Sequence, residues 1–192
     1  HPRIGKIDLT LFRTTQVLWI PNIEGGLHGH HTGPNNELGV ANFELEQYNS
    51  EIIDYVTANT EVTTDKVDGP YLGGFTGVEL SSDGTMSNAW QVWGPWHHDL
   101  LRIGSGVSEG WIVNTAYNTE RAVDTVGMFA REYDYVFFWN IASIEEAVNQ
   151  NKYMTTNEAP DVPVISWEDV EVYMVKIPLN PHGVDISPTG KY

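Results

Sequence analysis

Most of the seven histidines of this chain lie in three short segments, and imidazole is a common ligand of zinc, copper, iron and nickel. The first segment, LHGHHTGPN, contains His28, His30 and His31 between glycines that let the backbone approach a ligand closely. In an extended strand, His28 and His30 would point to one face and His31 to the other. Because this spacing is not distinctive of a metal site, solvated loop histidines are the competing interpretation.

The second segment, WGPWHHDLL, places His97 and His98 directly before Asp99. A carboxylate beside a histidine can orient that histidine as a metal ligand. Adjacent histidines, however, cannot easily serve one site from a regular strand. The competing interpretation is a polar loop between aromatic anchors.

The third segment, NPHGV, places His182 between a proline and a glycine. Pro181 has a restricted φ and biases the residue before it toward an extended conformation, whereas Gly183 leaves space on the other side. A histidine held in this way at the entrance of a strand could point into a central channel. A turn histidine is the alternative.

A calcium site is a further candidate, in the segment AYNTERAVDTVGMFAREYD. Calcium takes six to eight oxygen ligands, usually with carboxylates among them. The segment offers four carboxylates, at Glu120, Asp124, Glu132 and Asp134. It lacks the spacing of an EF-hand, so an acidic solvated surface is the competing interpretation.

Composition and motifs narrow the function classes. The formal net charge is −16, from 10 Lys and Arg against 26 Asp and Glu, which disfavours nucleic acid and anionic membrane surfaces as partners. The chain has no cysteine, so disulfides, thiolate metal sites and a cysteine nucleophile are excluded. No apolar run approaches the roughly 20 residues of a membrane span. No nucleophile elbow, P-loop, dinucleotide fingerprint or HExxH motif is present.

Short β-rich runs separated by turn residues predict an all-β sandwich, barrel or propeller. Asp83-Gly84 predicts a hairpin turn, and SPTG near the end predicts a type I turn. Ser143 and Glu146 fit a capping box for a short helix. Residues 119–132 have helical propensity that Gly127 weakens, and the polar stretch 49–70 is predicted to be a long loop.

Four stretches of the sequence resemble parts of the catalytic propeller of nitrous oxide reductase. NTAYNTERAVDTVGMFAREYDYVFFWNIASIEEAVNQNKYMT is similar to the family's segment YNSE…M…DWVVVFN…IEEAV, and VKIPLNPHGVDISPTGKY is similar to its PHG…SPDGKY. IPNIEGGLHG and FTGVELSSDGTMSNAWQV resemble two upstream family segments. The similarity extends over nearly the whole chain and is strongest in residues 114–148 and 178–192.

The resemblance implies a partial seven-bladed β-propeller of about three blades, with residues 1–192 a single segment of that domain. It implies reduction of N₂O to N₂ and water at a four-copper sulfide cluster. The family adds a C-terminal cupredoxin domain with a two-copper electron-transfer centre, absent from this chain. It also implies a periplasmic homodimer that receives electrons from a cytochrome c or a cupredoxin. This piece alone is expected to be inactive, and to belong to a larger polypeptide or assembly.

The resemblance also implies site residues. The copper ligands that match are His28 in LHG and His182 in PHG, which would also be the catalytic residues. The matching calcium ligands are Tyr117, Glu120, Met128, Asp134 and Asn180. Carboxylates would come from Glu120 and Asp134, and backbone carbonyls from the other three. Further copper ligands would precede residue 1 and follow residue 192.

The chain departs from the family pattern around both histidine-rich segments. His30 and His31 follow LHG, where the family has a hydrophobic-basic-proline run, and they are candidate outer-shell residues. Asp99 is a candidate for a carboxylate that orients a ligand. Two alternatives stay open: a calcium-stabilised propeller that binds a partner without redox activity, and a mononuclear metal enzyme built on His28, His30 and His31.

Overall fold

The structure, a computed structural model, describes residues 2–23, 27–46, 49–58, 72–116, 124–130, 134–178 and 181–192. These residues form eleven strands and three short helices, and the predicted all-β class is confirmed. The strands are β1 Arg3–Asp8, β2 Arg13–Trp19, β3 Leu27–Thr32, β4 Leu38–Glu46, β5 Leu72–Leu80, β6 Met86–Pro95, β7 His98–Ile103, β8 Trp111–Ala116, β9 Tyr135–Asn140, β10 Val164–Ser166 and β11 Val172–Lys176. The helices are α1 Ser50–Thr57, α2 Thr125–Ala130 and α3 Ile141–Asn149.

The first large sheet has the strand order β10-β6-β5-β4-β3, and β1 and β2 form a separate antiparallel pair. Strands β3 to β6 follow one another as an antiparallel meander, to which β10 adds in parallel beside β6. The predicted Asp83-Gly84 turn joins β5 to β6. Gly84 has a φ of +73°, which glycine adopts without strain, and Asp83 Oδ1 accepts a hydrogen bond from the Thr85 N–H at 2.9 Å.

The second large sheet has the order β11-β9-β8-β7, and all its strand pairs are antiparallel. Helix α3 and β10 lie between β9 and β11 in the chain. Strands β3 and β4 of the first sheet lie against β7 of the second. The first strand of each meander is therefore next to the first strand of the other.

Large aromatic side chains fill the core where the two sheets meet. Phe137 and Trp139 are fully buried on the same face of β9, and their rings stack with centroids 5.3 Å apart. Phe75 of β5 meets Trp139 edge to face at 5.4 Å. Each such ring buries about 150–250 Å². These contacts fix β5 of the first sheet against β9 of the second.

Two sequence predictions about helices were wrong in part. The stretch predicted to be a loop begins with α1, whose apolar residues Ile52, Ile53 and Val56 are buried; residues 59–70 lie outside the described part of the chain. Helix α3 begins two residues earlier than the predicted cap. Asn140, not Ser143, is its N-cap, and the Asn140 side chain accepts a hydrogen bond from the Ser143 N–H at 3.3 Å.

The predicted turn near the end of the chain is confirmed, but the strands around it are not. The Gly190 N–H donates to the Ser187 carbonyl at 2.8 Å, and Gly190 has a φ of +71°. Residues 181–192 contain no strand, so His182 lies in an irregular segment and not at a strand entrance. Among the helices that the structure describes, none combines the length and hydropathy that crossing a membrane requires.

Candidate metal-binding site

Asp99 and His28 form the closest contact between candidate ligands. The Asp99 side chain is fully buried in β7, and its Oδ1 lies 2.9 Å from His28 Nδ1. Among the described residues, neither Asp99 oxygen accepts a hydrogen bond. Because a buried carboxylate is costly without a partner, this arrangement favours a positive charge or a proton donor beside it.

His182 approaches the other oxygen of the same carboxylate. Its Nε2 lies 3.9 Å from Asp99 Oδ2, and its ring centroid is 6.5 Å from that of His28 at an interplanar angle of 80°. The side chains of His28 and His182 are 43% and 74% exposed, so both imidazoles are open to solvent while the carboxylate is not. The structure thus brings together two predicted site histidines, from near opposite ends of the chain, at one buried acid.

Two β-bulges produce this geometry. In β3, Leu27 pairs with Phe43 and His30 with Ala41, so His28 and Gly29 together oppose one residue of β4. In β7, His98 pairs with Ala116 and Leu101 with Asn114, so residues 99 and 100 together oppose one residue of β8. The bulge in β7 breaks the regular alternation, since His98 and Asp99 are both buried, whereas His28 and His30 of β3 stay on one exposed side. Both bulges lie where β3 meets β7, and each contributes one member of the His28–Asp99 pair.

His31 has a role in the protein framework. Its Nδ1 accepts a hydrogen bond from the backbone N–H of Ile103 in β7 at 3.1 Å. Partial burial, with a further contribution from the Arg102 guanidinium, lowers the pKa of His31, although Asp185 opposes the shift. His28 and His30 are exposed, as the alternation predicts, and His31 is partly buried. Nδ1 of His31 is therefore hydrogen-bonded to β7, away from the exposed face of β3 that holds His28 and His30.

The interpretation of WGPWHHDLL as a polar loop was wrong. His98 begins β7 and is completely buried, with Nε2 2.9 Å from the Pro95 carbonyl and Nδ1 2.9 Å from the Asn114 side-chain amide. These partners favour the tautomer with the proton on Nε2. Burial lowers the pKa of His98 to about 3. The Asn114 oxygen in turn accepts from Trp139 Nε1 at 2.6 Å. This imidazole is neutral and structural.

The candidate calcium ligands fall largely outside the described residues. Tyr117, Glu120 and Asn180 lie in those gaps, and Met128 lies in α2. Asp134, directly before β9, is fully buried, and its carbonyl accepts the Ile177 N–H at 3.1 Å. Within the described ranges, no group of three or more His, Asp or Glu side chains is arranged to bind a metal ion.

The fold and the site define an all-β protein in which two paired meanders carry an imidazole–carboxylate cluster. No protein-family model matches the chain. Curated relatives are nitrous-oxide reductases: that of Pseudomonas fluorescens is 25% identical over 203 aligned positions, that of Cupriavidus necator 30% over 203, and that of Ralstonia nicotianae 27% over 201.

Each of these alignments covers 100% of this chain but only 29–30% of the relative. The chain thus spans less than a third of the length of the curated relatives that it matches. The resemblance to nitrous-oxide reductase predicted from the sequence motifs is confirmed along the whole chain.

Proposed function

We propose that this chain is part of a copper-dependent nitrous oxide reductase and supplies His28 and His182 as ligands of its four-copper sulfide cluster. The enzyme would reduce N₂O to N₂ and water. The convergence of two histidines on the buried carboxylate of Asp99 is the observation that carries this proposal. The similarity to part of nitrous-oxide reductase, which extends over the whole of this chain, supports it independently.

The strand arrangement is consistent with two blades of a β-propeller. Propeller blades are four-stranded antiparallel sheets arranged around a central channel. Strands β3–β6 and strands β7, β8, β9 and β11 are two such meanders, with β3 beside β7. In a propeller these neighbouring first strands would be the innermost ones. His28 and Asp99 would then face the channel, and the β1–β2 pair would belong to a third blade.

His28, His182 and Asp99 have side chains of the types that a copper site would use. Imidazole nitrogen is a good ligand for copper, and a carboxylate that contacts the second ring nitrogen orients such a ligand. Asp99 Oδ1 lies 2.9 Å from His28 Nδ1, the ring nitrogen that this carboxylate would orient. A groove of about 430 Å³ runs along β3 and reaches His28, which leaves ample room for a molecule as small as N₂O.

When bound, a reduced copper cluster would supply the electrons for breaking the N–O bond. The described residues would position and shield that chemistry. His28 and His182 would each present one imidazole nitrogen from a different segment. Asp99 would hold negative charge within 4 Å of both rings, which favours a cationic group at this point. His98 stays neutral in the core behind the site.

The remaining cofactors and partners are proposed from the relatives. A calcium ion would be held by Tyr117, Glu120, Met128, Asp134 and Asn180. His30 and His31 would lie in the outer surroundings of the cluster. The intact protein would be a periplasmic homodimer with a two-copper centre on a cupredoxin domain. A cytochrome c or a cupredoxin would donate electrons.

Metal analysis and absorption spectroscopy of the intact protein test the proposal. We expect copper with copper–sulfide absorption bands, and loss of those bands in both His28→Ala and His182→Ala. Thr32→Ala is the matched control, because Thr32 is exposed on the same strand and is not a candidate ligand; His30→Ala is measured beside it.

The alternatives give different results in the same experiment. A protein that holds calcium but no copper would support a calcium-stabilised binding scaffold. Metal content that falls in His28→Ala and His30→Ala, yet is unchanged in His182→Ala, would support a mononuclear site within β3. Either result would overturn the assignment of His182 to a copper cluster.

A further inference from the structure

The glycines that follow His28 and His182 pack against the same side chain, that of Leu100. A Cβ added at Gly29 would lie 2.7 Å from Leu100 Cδ2, and one added at Gly183 would lie 3.2 Å from Leu100 Cδ1. Both distances are shorter than ordinary van der Waals contact, so each glycine is closely fitted to Leu100. Because the glycines have no side chain, the His28-Gly29 and His182-Gly183 dipeptides can both lie close to Leu100.

Leu100 belongs to the same bulge of β7 as Asp99. Asp99 lies 2.9 Å from the His28 ring and 3.9 Å from the His182 ring, whereas Leu100 is the nearest neighbour that a Cβ at either glycine would meet. The positions of the two histidines relative to the acid therefore depend on how the adjacent backbone sits on Leu100. Its side chain is only partly buried, in contrast to the fully buried Leu101 beside it.

Asn42 joins the two bulges from the other side. Its Oδ1 accepts a hydrogen bond from the Gly29 N–H at 2.7 Å, and its Nδ2 donates to the His98 carbonyl at 3.3 Å. Asn42 is 1% exposed, so water does not compete for these bonds. One amide thus connects the backbone next to His28 with the backbone next to Asp99. A Cβ at Gly29 would also lie 2.9 Å from the Asn42 oxygen.

We propose that Leu100 and Asn42 are positioning residues that hold the two bulges together and thereby set the separation of the His28 and His182 imidazoles. The expected effect on copper rests on the proposed function, whereas the expected change in the separation of the two imidazoles does not. Neither residue is a ligand; each acts through the backbone of the residues beside it.

Leu100→Ala in the intact protein is the direct test, with Leu101→Ala as the matched control. Both remove the same atoms from neighbouring positions of β7, but Leu101 is fully buried in the core and is not among the nearest neighbours of a Cβ built at Gly29 or Gly183. We expect Leu100→Ala to change the 6.5 Å centroid separation by about 1 Å or more in a crystal structure. Copper affinity should fall about tenfold, the smaller of the losses typical of residues that orient metal ligands, and copper content should fall with it.

Leu101→Ala should lower the melting temperature while leaving the ring separation and the copper content unchanged. An unchanged separation in Leu100→Ala would overturn the inference. Absence of copper from the parent protein and all variants would instead overturn the proposed function, and the ring separation would still decide the inference.

A second pair of variants covers the case in which Leu100→Ala does not fold. Gly183→Ala adds one methyl group against Leu100 at an exposed position and should displace His182. Combining Gly183→Ala with Leu100→Val, which shortens the side chain without removing its branched apolar part, relieves that contact, so the separation should return toward the parent value. A displacement of His182 that is equal with leucine and with valine at position 100 would contradict the positioning role.

The role of Asn42 is tested by Asn42→Asp. The aspartate keeps an acceptor for the Gly29 N–H but loses the donor to the His98 carbonyl. We expect a shift of Asp99 relative to His28 and partial loss of copper, with the Gly29 contact retained. An unchanged distance between the His28 and Asp99 side chains would remove Asn42 from the proposal.

Discussion

His31 of the first sheet accepts a 3.1 Å hydrogen bond from the Ile103 N–H of the second sheet, so an imidazole joins the first strands of the two meanders. Protonation of Nδ1 would remove the acceptor. Burial already lowers the pKa of His31 from its ordinary value of 6.5, with Arg102 adding to the effect. The contact between β3 and β7 is therefore sensitive to pH.

The first prediction concerns this hydrogen bond. Above pH 6.5, His31 is neutral in both the folded and the unfolded chain, and the bond contributes fully. As the pH falls below 6.5, the unfolded chain binds the proton first, so the free energy of unfolding decreases. His31→Asn keeps an acceptor near the same place and cannot titrate. The free energy of unfolding, measured with urea, should therefore decrease less between pH 7 and pH 5 for His31→Asn than for the parent protein. Equal decreases would contradict the prediction.

The second prediction concerns His98, whose pKa is lowered to about 3 by burial. The folded state resists protonation between pH 6.5 and about pH 3, so stability falls with acid in that range by up to about 1.4 kcal/mol per pH unit. His98→Gln should be less stable at pH 7.5 by about 1–3 kcal/mol, since buried Asn114 loses its partner. Its stability should also depend less on acid. Urea unfolding at several pH values measures both effects.

The third prediction concerns Gly77 in β5, which packs beneath the ring of Trp90. A Cβ at Gly77 would lie 2.3 Å from the nearest ring carbon. Gly77→Ala should therefore cost about 1–3 kcal/mol through overpacking. Gly5→Ala is the control, because a Cβ there meets nothing closer than 3.8 Å, and its effect should stay within about 0.5 kcal/mol. Equal stabilities of the two variants in urea would contradict this account.

The fourth prediction follows from the proposed calcium site. Asp134 is a fully buried carboxylate at the start of β9. If it ligates calcium, chelation with EGTA should lower the melting temperature of the parent protein. Free calcium at a hundred times its dissociation constant should raise the free energy of unfolding again by about 2.7 kcal/mol. Asp134→Asn should be less stable and insensitive to EGTA. Asp161→Asn, at an exposed acid, should respond as the parent does.

Local patterns in the sequence were sufficient for much of the framework. Asp83-Gly84 predicted the β5–β6 hairpin because the turn needs a residue that tolerates positive φ. Short β-rich runs between turn residues predicted the all-β class. Helix α1 was missed because its surroundings are polar, although Ile52, Ile53 and Val56 have the spacing of one helical face.

The site was only partly predictable. Motif resemblance singled out His28 and His182, and a neighbouring carboxylate suggested Asp99. Asn42 and Leu100 carried no signal, because an asparagine and a leucine in strands are ordinary until their contacts are known. Burial of His97 and His98 was likewise hidden behind their polarity.

The sequence by itself determined the all-β class and the main hairpin, because these depend on residue type and local spacing, whereas the candidate ligands came from the motif resemblance. Only the tertiary structure decided that His28, Asp99 and His182 meet. Their meeting requires two bulges, which a period of two cannot reveal, and the packing of two sheets whose contacts join residues far apart in the chain.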